Sequence, residues 1–160
     1  MDYNIEELDI SKRMDELGLT FPDNLTFFPE NFDTANAKSD FVFTDSMLDL
    51  SKIFRQDNRI SIPALGQATE LYRSRKSADI YLPAIFFGLS QIAGNSTIVS
   101  VSLNVLSNYI YDLCKGTSGK KTAHVELYIE TKEKGKVKKI NYNGSVEGLK
   151  ELDKIIKAMK

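Results

Sequence analysis

The chain has no tryptophan, one cysteine, one histidine and four prolines among its 160 residues. Cys114 alone cannot close an intramolecular disulfide, so the fold must be held by its core, and a reducing, cytoplasmic compartment is expected. No cationic stretch followed by an apolar run and a small-residue cleavage site opens the sequence, in keeping with that expectation. A lone histidine and a lone cysteine provide no repeated Cys/His spacing for a dedicated zinc site. Cys114 and His124 are separated by a helix-to-strand connection, which gives no reason to expect a nucleophile paired with its base. No catalytic residue, metal ligand or cofactor is therefore assigned, and the chain is read as a non-enzyme.

Charge is scarce in the middle of the chain. From Ile80 to Cys114, 35 residues contain one formal charge, Asp112. Pro83, Gly88, Gln91, Gly94, Asn95 and a series of serines and asparagines break this stretch, so no run approaches the roughly 20 apolar residues of a membrane span. Membrane insertion is not expected, although residues 80–114 would be the segment to carry it. The flanks are densely charged and opposite in sign: residues 1–79 hold 15 acidic and 9 basic side chains, and residues 115–160 hold 12 lysines and 6 acids, within a total net charge of -1. The acidic front would repel phosphates that the basic back attracts, which sets general nucleic-acid binding aside. The same contrast predicts self-association through the two halves, unless they neutralise each other within one chain.

With 42% hydrophobic and 10% aromatic residues, the composition supports one domain over residues 1–160. Three parts are expected: an acidic α/β part (1–79), an apolar helical centre (80–114) and a basic ββα unit (115–160). The spacing of Ile5, Leu8, Ile10, Met14 and Leu17 predicts an amphipathic helix ended by Gly18. Leu25 to Phe28 reads as an edge strand, residues 30–40 as a surface loop, and Phe41 to Phe43 as a short strand. Thr44 or Asp45 is a candidate N-cap for a helix carrying Met47, Leu48, Leu50, Ile53 and Phe54. Arg59 to Ile62 reads as a strand closed by Pro63, and Ala64 to Ser77 as a helix.

In the centre, helices are expected from about Asp79 to Ala93, with Pro83 in the first turn, and from about Ser96 or Thr97 to Cys114. Residues 98–105 also alternate as a strand would, but the stripe Val99, Leu103, Leu106, Ile110 and Leu113 continues for longer and favours a helix. Val125, Leu127 and Ile129 then alternate with polar residues, a turn forms at Gly135, and Ile140 and Tyr142 share one face of a second strand. Ser145 is the expected N-cap of a last helix whose stripe is Val146, Leu149, Leu152, Ile156 and Met159. The fold class is α+β: a mixed N-terminal part, a buried central helical pair, and a C-terminal β-hairpin followed by a helix.

Several motifs bear on function. Gly116 to Thr122 lacks the first glycine of a phosphate-binding loop, that position being Cys114, and it leads from a helix into a strand rather than the reverse. Asp45 and Asp49 share a helix face, as on many acidic surfaces. The lysines at 132, 134, 136, 138 and 139 read as a charged hairpin edge without aromatic stacking residues for nucleic acid. Ser100, Asn104, Ser107, Asn108 and Tyr111 fall along one side of the second central helix. This uncharged stripe, with Asp112 at its end, suits a protein contact because burying it desolvates few ions. If Asp112 is buried, a cationic partner is expected. Arg73, Arg75 and Lys121 are candidates for an alternative role in sensing a small anion or nucleotide.

Over residues 80–160, an apolar uncharged helical stretch, a Lys/Gly-rich connection, a hairpin (His124 to Tyr142) and a closing helix (Ser145 to Met159) are expected to follow in order. This order resembles the small effector-associated components of bacterial conflict and anti-phage systems, over about half the chain. The resemblance implies a helper that couples a sensor or effector to its partners. The function expected is an interaction or regulatory module with a protein partner or a second copy of itself.

Overall fold

The structure is a computed structural model describing residues 2–67, 71–73, 80–93, 97–115 and 122–158. It is α+β, with the hairpin strands β7 (Ala123–Glu130) and β8 (Lys136–Gly144) at the middle of its main sheet. They pair antiparallel, Leu127 opposite Ile140 and Val125 opposite Tyr142. Gly135 makes the turn with φ of 81°, in a region where a side chain is strained. The predicted hairpin and its face are both present.

Outside β8 lies β1 (Asp2–Asp9), antiparallel, with Ile5 opposite Ile140 and Glu7 opposite Lys138. The helix expected from Ile5 to Leu17 is thus corrected: a strand runs to Asp9 and only α1 (Ser11–Glu16) is helical. Its apolar spacing fits either reading, and the ladder with β8, unreadable locally, decides for the strand. This pairing also places acidic β1 beside basic β8, with Glu6 opposite Lys139 and Glu7 opposite Lys138.

Inside β7 lies β6 (Ala84–Phe87), parallel to it, with β2 (Thr26–Phe28) antiparallel at the far edge and β5 (Ile80–Tyr81) also beside β7. The helix expected from Asp79 to Ala93 is therefore corrected to two strands and the short α3 (Leu89–Ala93), and Pro83 lies between the strands. Ile85, Phe86 and Phe87 are wholly buried. A parallel strand covered on both faces reads as a continuous apolar run, which periodicity does not separate from a buried helix. The central helical pair becomes one helix, α4 (Thr97–Cys114), over the limits predicted for it.

In the N-terminal part, β3 (Val42–Thr44) pairs parallel with β4 (Leu71–Arg73), and α2 (Ser46–Asn58) follows β3. Asp45 is the N-cap of α2 but makes no side-chain capping bond. Leu48 of its expected stripe is exposed. The strand expected at Arg59 to Ile62 is absent, and the helix expected from Ala64 to Ser77 is replaced by a 3-10 turn at Leu65–Gln67 and by β4. Residues 68–70 and 74–77 of that expectation, the loop 116–121 and Met159 lie outside the described residues.

The closing helix α5 (Val146–Lys157) begins at Ser145, whose hydroxyl accepts the N–H of Gly148 at 3.3 Å, as expected of an N-cap. Leu149, Leu152 and Ile156 are completely buried. On the sheet face of Val125, Leu127, Ile129, Ile140 and Tyr142, the core is closed by the helices, with α5 packed on β8 and against α4. On the opposite face, Phe28, Phe86 and Tyr128 are covered by Phe21 and Phe32 from the segment between α1 and β3. Thus the surface loop expected over residues 30–40 contributes Phe32 and Ala35 to the core.

Candidate functional site

The uncharged stripe on α4 divides among three environments. Ser100 faces α5, where its hydroxyl donates to Asp153 at 3.0 Å and accepts from Lys157 Nζ at 2.9 Å. Lys157 also pairs with Asp153 at 3.0 Å, so this end of α4 is tied into an internal charged network. Ser107 is buried, and its hydroxyl has no hydrogen-bond partner among the described residues. Asn104, Asn108, Tyr111 and Asp112 are exposed. The partner expected for a buried Asp112 is not called for at that exposed position.

These four residues line one wall of a groove of about 540 Å³, and Ile53, Asp57 and Asn58 of α2 line the other. The facing wall was not foreseen from sequence, because no local pattern reports which helix lies beside α4. The two helices are joined where Tyr109 donates its hydroxyl to Asp49 Oδ2 at 3.1 Å. Burial, followed by the neighbouring Asp49 charge, pushes the Tyr109 phenol up to about 12. The i, i+4 pair of Asp45 and Asp49 is therefore split in role: Asp49 fixes α4, and Asp45 precedes α2. Arg59, with φ of 55°, ends α2 in the left-handed region beside Asn58.

The groove combines apolar walls at Ile53, Val101 and Val105 with amides and the carboxylates of Asp57 and Asp112. Among the described residues, no lysine or arginine lines it. Such a lining favours a segment that is partly apolar and cationic and disfavours an anion. Exposed Tyr111 and Leu113, 64% and 47% accessible, add contact area at this end of α4. Of the anion candidates, Arg73 lies in β4, its side chain undescribed, while Arg75 and Lys121 lie outside the described residues.

Elsewhere, His124 stacks on Tyr81 with ring centroids 4.5 Å apart, and its Nδ1 is hydrogen-bonded to Asn143 Oδ1. Lys139 departs from the exposed edge expected of the lysine run. It is 8% accessible, 3.6 Å from both Asp33 and Glu126, and sits over the Tyr128 ring. The alternation of β8 directs it onto the aromatic face, where its hydrocarbon stem can pack and its ammonium can meet two carboxylates. Among the described residues no group of three or more His, Cys, Asp or Glu side chains could hold a metal ion, and no helix is long and apolar enough to cross a membrane. No protein-family model, curated protein or solved structure matches the chain.

Proposed function

We propose that this protein is a non-enzymatic, cytoplasmic interaction or regulatory module whose partner occupies the groove between α2 and α4, as an adaptor component of a bacterial defence system would. The groove carries this reading: Asn104, Asn108 and Tyr111 stand exposed beside apolar Ile53, Val101 and Val105, with Asp57 and Asp112 at its rim. An apolar floor with unbonded amides and few charges suits protein contact, because closing it releases water without stripping many ions. The partner segment is proposed to be amphipathic and basic, matching the two carboxylates. Defence itself is proposed from the resemblance in the order of elements over residues 80–160.

Photo-crosslinking side chains at positions 108 and 111 in host cells test the reading. The expected result is one discrete protein adduct mapping to a basic amphipathic segment, with the yield strongly reduced by Asn104→Arg or Asp112→Lys. No adduct from either position, or an adduct unaffected by both substitutions, overturns the groove as the contact site.

A further inference from the structure

We propose that the free edge of β1 accepts an extended, basic segment of a protein partner as an added strand. This rests on the interaction-module reading and supplies it with a second contact surface. The two edges of the main sheet differ in access. At β2, Phe27 donates its backbone N–H to Pro63 at 2.9 Å and bridges to Ala64, so a passing segment occupies that edge. At β1, eight residues run in unbroken register with β8, and no described strand pairs on the other side.

The ladder identifies the free groups. Ile10 donates to Gly135 at 2.9 Å, and Thr131 donates to Lys136 at 3.1 Å on the other side of β8. Antiparallel pairing alternates, so Leu8, Glu6 and Asn4 bond inward to β8 while Glu7, Ile5 and Tyr3 turn their N–H and C=O groups outward. A row of unpaired backbone groups of this kind is a template for strand addition. Tyr3 and Ile5 are also 40% and 42% accessible, two of the few large apolar side chains exposed among the described residues. They share a sheet face with Glu7, whereas Glu6 lies on the other face.

Charge selects the occupant. Glu6 and Glu7 are exposed, and neither makes an ion pair among the described residues; Lys139, opposite Glu6 in the ladder, engages Asp33 and Glu126 instead. With Asp2 and Asp9, β1 carries four acidic residues and no basic one. A second copy of β1 would therefore set two acidic strands side by side, which is unfavourable. A strand alternating apolar and Lys or Arg residues satisfies both features: its apolar side chains meet Tyr3 and Ile5 on one face, and its cations meet Glu6 on the other. Charged residues on an edge strand also guard against aggregation, and the experiment separates that role from binding.

The probe is a short labelled peptide alternating valine and lysine, compared with one alternating valine and glutamate, added to the full chain. Fluorescence anisotropy reads affinity, and amide hydrogen exchange reads which backbone groups become protected. The lysine peptide is expected to bind, to lose affinity as salt rises, and to slow exchange at Tyr3, Ile5 and Glu7. Ile5→Pro removes an outward N–H that β8 does not use, so it should weaken binding by at least about tenfold with little change in melting temperature. Glu6→Lys, which leaves the outward backbone groups in place and removes the carboxylate on the cation face, should weaken binding to a smaller extent.

Equal binding of the two peptides, protection mapping away from β1, or binding unchanged in Ile5→Pro overturns the proposal. Failure of the lysine peptide to bind shows that the edge charges act only as a guard. Persistence of the crosslinks at positions 108 and 111 would then leave the interaction-module reading standing. Strand addition observed without those crosslinks would remove the groove and retain the edge.

Discussion

On one face of the main sheet, Val125, Leu127, Ile129 and Ile140 lie under helices; on the other, Phe28, Phe86 and Tyr128 lie under Phe21 and Phe32, which belong to no helix or strand. The first face uses periodic aliphatic stripes, whose register any regular helix can match. The second uses large rings with centroids about 5 Å apart, such as Phe28 over Phe86 at 5.3 Å and over Tyr128 at 4.8 Å. Without a helix to supply its own hydrogen bonds, this cover is stitched down by side chains. Arg13 donates Nε to Phe32 O at 2.8 Å and Nη2 to Ala35 O. Asn31 donates to Asp40 O and accepts from Val42 N–H, both at 2.8 Å. A helix covers a sheet by repetition, whereas an irregular segment does so through a few specific ties, so its integrity is concentrated in fewer residues.

Hollowing out one face at a time separates the two covers most strongly. Phe86→Ala is expected to cost about 3–5 kcal/mol and Leu127→Ala about 2–5 kcal/mol in urea unfolding. Hydrogen exchange should distinguish them further: Phe86→Ala should raise exchange selectively across residues 26–43, while Leu127→Ala should lower protection throughout the sheet. Similar, global exchange patterns in both variants would show that the two covers act as one cooperative unit. A smaller effect, about 1–3 kcal/mol, is expected for Asn31→Ala, which removes two bonds to backbone groups at the margin of β3. Its denaturation midpoint should fall while the α4–α5 amides retain their relative protection.

The smallest effect lies on the helical side and is pH-dependent. The Tyr109 phenol is raised from its ordinary value near 10 to about 12. The folded state therefore holds this proton more tightly than the unfolded state, and the associated stability is complete below about pH 10 and is lost as pH rises through 12. Tyr109→Phe should flatten that part of the alkaline stability curve and loosen the α2–α4 contact slightly. A wild-type curve identical to that of the variant between those two values would remove Tyr109 as its cause.

The helical face was largely legible. Val99, Leu103, Leu106 and Ile110 recur at helical spacing and are all buried, as are Leu149, Leu152 and Ile156 behind the Ser145 cap. Gly135 and the alternation of Val125, Leu127 and Ile129 identify the hairpin in the same local way. By contrast, Ala84–Phe87 is buried on every side, so it has no polar residue to reveal a period of two. Ile5, Leu8 and Ile10 fit a helical stripe although the first two belong to a strand, because partners distant in sequence, Ile140 and Val137, determine the pairing. At the candidate site, Asn104, Asn108 and Tyr111 could be read from the helix they occupy. Ser100 and Ser107 lay close in angle but were separated by what packs there, and the wall from α2 carried no signal on α4 at all.

The outer strand of the sheet also imposes an order of events during synthesis. Asn141 donates its side-chain amide to Asn4 across 137 positions of sequence. At ordinary translation rates, β1 would leave the ribosome on the order of ten seconds before β8 becomes available to it. During that interval its backbone has no native strand to pair with, and Tyr3 and Ile5 have no native neighbours. Asp2, Glu6, Glu7 and Asp9 give the waiting segment a uniform negative charge, so two such segments on one polysome repel each other until β8 emerges to complete the ladder.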